Sequence, residues 1–287
     1  MSHRGRACKC HPNFASALAY NRAAVSPFHY ARDLYVDQAA QQVLPAAAWL
    51  LVALVGVFIA LHVLRRSAGY PIANIQAAKL PPHTRILRYE VGARLYHWGN
   101  TLLMLGLALS GIGLYSPGSV SGTSWLVIHE ALAVFFVLAL VLHIVIAPKR
   151  GDARSMWFDR QDLHDLRLIA ANFVGLTRRY PAFGKYDPWQ KVYHAFLTLI
   201  AAALIFSGAY LFISVEAWGT FSHELMRLMR LLHGLGAFAF MAIVVGHVYF
   251  GIIRVNWPQF VSMFTGRLRG SSFNLSHDAA RWQPRDE

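Results

Sequence analysis

Residues 225–253 read LMRLMRLLHGLGAFAFMAIVVGHVYFGII. After Arg230 the groups that titrate near neutral pH are His233 and His247, in a run apolar and long enough to cross a bilayer as one helix. Histidine at membrane depth is costly, which makes each a functional-site candidate. The two lie fourteen residues apart. At about 100° per residue the second returns to within roughly 40° of the first, about 21 Å further along the axis. One helix face therefore carries an imidazole near each membrane surface.

A second stretch, residues 125–147 (WLVIHEALAVFFVLALVLHIVIA), repeats the device with His129 and His143, again fourteen apart. Two such helices could clamp two flat metal-bearing rings, one per leaflet, and the ring whose iron accepts axial imidazoles is haem. Gly234, Gly236 and Gly246 beside the histidines would let a macrocycle approach the backbone. The plainer reading has each histidine bonded to a neighbouring carbonyl inside the bundle; two pairs at one helical phase favour ligation.

With 56% hydrophobic and 14% charged residues, the 287-residue chain reads as an integral membrane protein with little room for a separate soluble domain. Cys8 and Cys10 are the two cysteines, too few for a four-cysteine iron–sulfur cluster, so any such cluster belongs to a partner. The net charge of +13 is explained by membrane topology, and nothing else suggests nucleic acid.

The expected fold class is all-α: a membrane helical bundle with a four-helix core and one extra N-terminal transmembrane helix. Residues 1–43 form a tail without the pattern of a signal peptide. Its Ala7-Cys8-Lys9-Cys10-His11 is a broken form of the Cys-x-x-Cys-His haem attachment box. Residues 44–66 make the first span, which ends on Arg65 and Arg66, with His62 near its edge. Residues 67–94 are a connector broken at Pro81-Pro82. Residues 95–266 form the core, with spans at 95–115, 125–147, 192–214 and 225–253 and a short amphipathic helix at 159–173. Residues 267–287 are a polar tail. No internal repeat is evident beyond the echo of the two histidine-bearing helices.

Twenty lysines and arginines fall on the side of residues 65–94, 149–191 and 254–287, against seven on the other. The positive-inside rule then puts the N-terminus outside and the C-terminus in the cytoplasm. His129 and His233 lie near the outer surface, and His97, His143 and His247 near the inner one.

Several motifs together resemble a known family. Arg94-Leu95-Tyr96-His97-Trp98, Ile128-His129, Gly184-Lys185-Tyr186-Asp187-Pro188-Trp189-Gln190-Lys191, Ser207-Gly208, Leu232-His233 and Gly246-His247-Val248-Tyr249 resemble the di-haem cytochrome b (gamma) subunit of membrane-bound formate dehydrogenases. Cytochrome b subunits of hydrogenases and thiosulfate reductases are similar in outline, and the likeness covers about residues 88–266. It implies two haem b groups, an outer one held by His129 and His233 and an inner one held by His97 and His247, with a quinone near the inner haem. It also implies an iron–sulfur electron-transfer subunit and a catalytic dehydrogenase subunit as partners, in a bacterial cytoplasmic membrane.

Two departures from the family pattern matter. His143 is an additional histidine at the depth of His97: family position favours His97 as the partner of His247, and the fourteen-residue spacing favours His143. In the quinone loop, the usual Gly-Lys-Tyr-Asn-x-Gly-Gln-Lys becomes Gly-Lys-Tyr-Asp-x-Trp-Gln-Lys. Asp187 and Trp189 could accept a proton and stack on a quinone, or Asp187 could simply cap the next helix. His194, just beyond, is open as ligand, quinone contact or interfacial residue. Asn100, Ser110 and Ser207 read as helix-to-helix bonds. The rival from outside redox chemistry is a membrane anchor that uses its histidines structurally.

Overall fold

The computed structural model describes residues 38–67, 73–74, 78–115, 122–150, 152–216, 223–254 and 256–283. The Cys8-Lys9-Cys10-His11 motif and Trp218 lie outside them. The elements run in order: α1 (Gln38–Ser67), β1 (Ala73–Asn74), β2 (Arg85–Leu87), α2 (Val91–Tyr115), α3 (Gly122–Ile146), α4 (Asp152–Ser155), α5 (Arg160–Val174), β3 (Arg179–Tyr180), α6 (Pro188–Glu216), α7 (His223–Ile252), α8 (Trp257–Thr265), β4 (Arg267–Arg269) and α9 (Gly270–Phe273).

The chain is an all-α membrane bundle. By length and composition α1, α3, α6 and α7 can cross a bilayer, over Val43–Arg65, Ser124–Ile146, Pro188–Ser214 and Glu224–Ile252. Helix α2, at 25 residues, is of matching length. It pairs with α3 in one hairpin and α6 pairs with α7 in another; α1 lies against α7. These helices leave rows of Leu, Val and Phe exposed along their outer faces, as a lipid solvent allows. Leu44 of α1, 1% exposed, fills the notch over Gly234, whose added Cβ would stand 2.8 Å from it. Likewise Gly236 faces Leu204. These two glycines seat leucines and not a macrocycle; Gly246 alone of the three faces open space.

The segments expected as a connector and a polar tail fold together into a cap. Strand β2 pairs antiparallel with β4, Ile86 opposite Leu268, while β1 pairs parallel with β3. Ile86, Leu268 and Phe273 make the cap's core, with Leu80, Ala279 and Trp282 packed on it. Asn274 bonds both the N–H and the carbonyl of Leu80, at 2.9 and 2.8 Å, standing in for a strand partner. Gly270 is required, because a Cβ there would run into the Pro81 carbonyl.

The cap buries several charged and polar groups. Arg88, 2% exposed, donates to the Lys185 carbonyl at 3.0 Å and to His277 Nε2 at 2.8 Å. Arginine cannot accept, so the His277 proton sits on Nδ1 and is donated to the Gly184 carbonyl at 2.7 Å. Lys191 meets Asp162 at 2.6 Å, and Arg281 meets Asp165 at 2.6 Å and Asp162 at 3.3 Å. The C-terminal segment thus clamps α5 and the 181–187 loop onto the start of α6.

Burial, and secondarily the Arg88 charge, hold the His277 imidazole down to about 3. A histidine depressed on folding lends stability that is full above its ordinary value near 6.5 and is lost as pH falls toward 3. Asp187 works the other way. Burial raises it to about 6, so its contribution is lost as pH rises from the ordinary carboxylate value toward 6. Acidification from pH 7 to 4 is therefore expected to lower the amide protection factors, the intrinsic exchange rate at each pH divided by the observed rate, across residues 267–282 by a His277-dependent amount. His277→Gln should flatten that dependence; an unchanged profile would show that His277 is not the trigger.

Candidate haem-binding site

Two imidazole pairs come together, the outer one as the fourteen-residue spacing suggests and the inner one with the histidine that family position favoured over spacing. His129 of α3 and His233 of α7 have ring centres 6.2 Å apart, and His97 of α2 and His247 of α7 have theirs 6.3 Å apart. A metal–imidazole bond of about 2.0–2.1 Å, plus roughly 1 Å from nitrogen to ring centre on each side, sets two trans imidazoles about 6 Å apart. Both pairs stand at the separation that one iron between them requires.

The outer pair also has its tautomer fixed. Ser110 donates its hydroxyl to the Gly106 carbonyl one turn back, at 2.8 Å, and its oxygen lies 2.8 Å from His129 Nδ1. Ser207 does the same, donating to Ala203 at 2.7 Å and lying 3.0 Å from His233 Nδ1. With its proton already used, each serine accepts from Nδ1–H, which leaves Nε2 with a free lone pair. Holding the far nitrogen in this way is how metal-ligating histidines are oriented. Gly111 and Gly208 complete the seats; an added Cβ would come within 3.6 Å of His129 Cε1 and 3.1 Å of His233 Cε1.

The inner pair is held differently. Tyr193 stacks on His247 at 5.0 Å and 15°, and Trp98 meets His97 edge-on at 5.0 Å. Trp98 is itself pinned by its indole N–H to the Met263 carbonyl at 3.1 Å. His97 Nδ1 is buried with no hydrogen-bond partner, a costly state that points to a group the chain does not supply. A cavity of about 3220 Å³ adjoins this pair, several times an ordinary small-ligand pocket. Among the described residues no group of three or more His, Cys, Asp or Glu could hold a bare metal ion. A two-imidazole donor set fits an iron whose other ligands come from a porphyrin.

The remaining candidates separate. His143 is covered by Tyr96, stacked at 4.0 Å and 11°. Asp187 caps α6: Oδ1 accepts from Trp189 N at 2.6 Å, Gln190 Oε1 returns to Asp187 N at 3.1 Å, and Oδ2 takes the Tyr180 hydroxyl at 3.2 Å. Trp189 is 48% exposed, and Asp187, Trp189 and His194 all line the cavity. His62 bonds Tyr249 at 2.7 Å across the α1–α7 contact. The seats of Ser110 and Ser207 went unrecognised as ligand supports, although the repeated Ser-Gly pair was there to find. Ser207→Ala is expected to weaken haem retention at the outer pair ~10–100-fold, as losses of orienting partners do. Haem titration of the stripped protein measures this, and an unchanged affinity would remove the serine from the site.

A membrane helix bundle that brings imidazoles of neighbouring helices together in pairs fits the scaffold of a b-type cytochrome. The chain belongs to the prokaryotic cytochrome b561 family, whose model matches residues 88–266, more than half its length. It is also similar to a protein of Escherichia coli (strain K12) named "Putative cytochrome YdhU", with 25% identity over 231 residues, 75% of this chain and 85% of that one. The family implies haem b and a membrane redox subunit that works with other proteins.

Proposed function

We propose that this cytochrome carries electrons through two b-type haems between a redox partner complex and the membrane quinone pool, as the gamma subunit does in formate dehydrogenase-like assemblies. What supports the reading most directly is that two imidazole pairs, 14 residues apart along α7, have ring centres 6.2 and 6.3 Å apart, so that each pair would hold one haem iron. Bound haem would supply reversible one-electron chemistry at each pair. The chain's own residues do the rest: His129 and His233 hold the outer group, His97 and His247 the inner one, and α1 shields the back of α7 from lipid. The cap, with Asp187, Trp189 and His194 at its floor, faces the cytoplasm and is the side from which a quinone takes its protons. An iron–sulfur subunit and a catalytic dehydrogenase subunit dock as partners.

The test is a dithionite-reduced minus oxidised spectrum of the purified protein, with haem counted per chain. Two b haems that a quinol analogue can reduce support the reading, and a folded, haem-supplied protein with a flat spectrum ends it. The subunits that copurify decide between a formate dehydrogenase and the hydrogenase or thiosulfate reductase alternatives.

A further inference from the structure

The two hairpins, α2–α3 and α6–α7, repeat one another residue by residue, contrary to the expectation of no internal repeat. A shift of 97 positions carries Tyr96 to Tyr193, His97 to His194, Thr101 to Thr198 and Ser110-Gly111 to Ser207-Gly208; a shift of 104 carries His129 to His233, Phe136 to Phe240 and His143 to His247. The contacts repeat as well. Thr101 and Thr198 each return their hydroxyl to the carbonyl of the histidine one turn back, both at 2.8 Å. Ser110 and Ser207 each hold a histidine of the following helix, Tyr96 and Tyr193 each stack on the far histidine of that helix, and Phe136 and Phe240 are both buried.

An operation that exchanges the hairpins turns the His129–His233 pair into itself. It turns His97–His247 into His194–His143. His143 is therefore the counterpart of His247, not its rival for His97, and the fold contains a second inner pair of imidazole-bearing positions. We infer that His143 and His194 form a binding site for the headgroup of a quinone, a flat ring with one carbonyl acceptor on each side.

The differences between the repeats say why this counterpart would take a removable ring. Beside His97 stands Trp98, tied to Met263 and packed on Phe264 at 4.5 Å, which shuts that side. The matching neighbour of His194 is Ala195, which leaves His194 exposed along the cavity that also reaches His143. The His194 ring makes no hydrogen bond among the described residues, so it has an N–H to give; Tyr96 lies flat on His143 and fixes its ring. Two imidazoles lining one cavity, His194 with an N–H to give, suit a flat ring that carries carbonyl acceptors.

This inference rests on the quinone reading above and is tested separately from it. Decylubiquinone binding to the purified, haem-loaded full chain is measured by tryptophan quenching for the native protein and for His143→Leu, His194→Leu and His194→Gln. The expected result is at least tenfold weaker binding for both leucine variants, recovery in His194→Gln, which keeps a donor, and unchanged haem content and spectrum throughout. Leucine variants that bind like the native chain, or that lose a haem, overturn the inference while leaving the quinone reading standing. A native protein that does not bind the quinone at all overturns both.

Discussion

Replacing His233 with alanine is expected to remove one of two haems per chain and leave the other spectrally unchanged. His233 supplies one of the two nitrogens of the outer pair, and no other described histidine ring is recorded within stacking distance of His129. Its seat is specific: Ser207 fixes the Nδ1 proton and Gly208 closes against the ring, so no neighbouring side chain can take its place without a shift of α6. The inner pair lies fourteen residues along α7, about 21 Å by helix rise, and touches none of these groups. Haem quantified per polypeptide should therefore fall by half, with a matching loss after His129→Ala. His62→Ala, which removes a bond to Tyr249 on the other side of α7, should leave the count alone. Full haem content in the His233 variant would sink the pairing.

The features legible in the sequence were those that a single helix can encode. Fourteen-residue spacing is a statement about one helix face, so His233 with His247 could be read before any neighbour was known. The pairing of His97 with His247 could not be read from periodicity, because it depends on how α2 crosses α7; spacing alone favoured His143. The repeat was hidden for a simpler reason. The two shifts that superimpose the hairpins differ by seven residues, taken up between the paired helices, so no single register aligns both halves at once. The cap was illegible because its polar residues are solvable only as a set. Asp162, Lys191 and Arg281 come from three distant segments, and only their convergence offsets the cost of burying each charge.

That convergence carries the other large expected effect. Lys191 is 8% exposed and its ammonium meets Asp162, itself 1% exposed, at 2.6 Å and the Trp157 carbonyl at 3.0 Å. Removing one partner of a buried pair strands the other, which typically costs about 3–5 kcal/mol. Arg281 still reaches Asp162 at 3.3 Å, so Lys191→Met should fall at the lower end, about 3 kcal/mol. The loss should appear first as local opening and not as global unfolding, because Lys191 ties α5 to the first turn of α6 while α7 holds its place through α1 and α6. Hydrogen exchange should rise in residues 160–174 and 181–191 with little change in 225–253. Asp162→Leu combined with Lys191→Met removes both charges and should recover much of the protection, since Arg281 still keeps Asp165 at 2.6 Å and Asp159 at 3.9 Å. If the double variant is no better than the single one, the cost lies in the lost packing of the lysine stem and not in the stranded carboxylate.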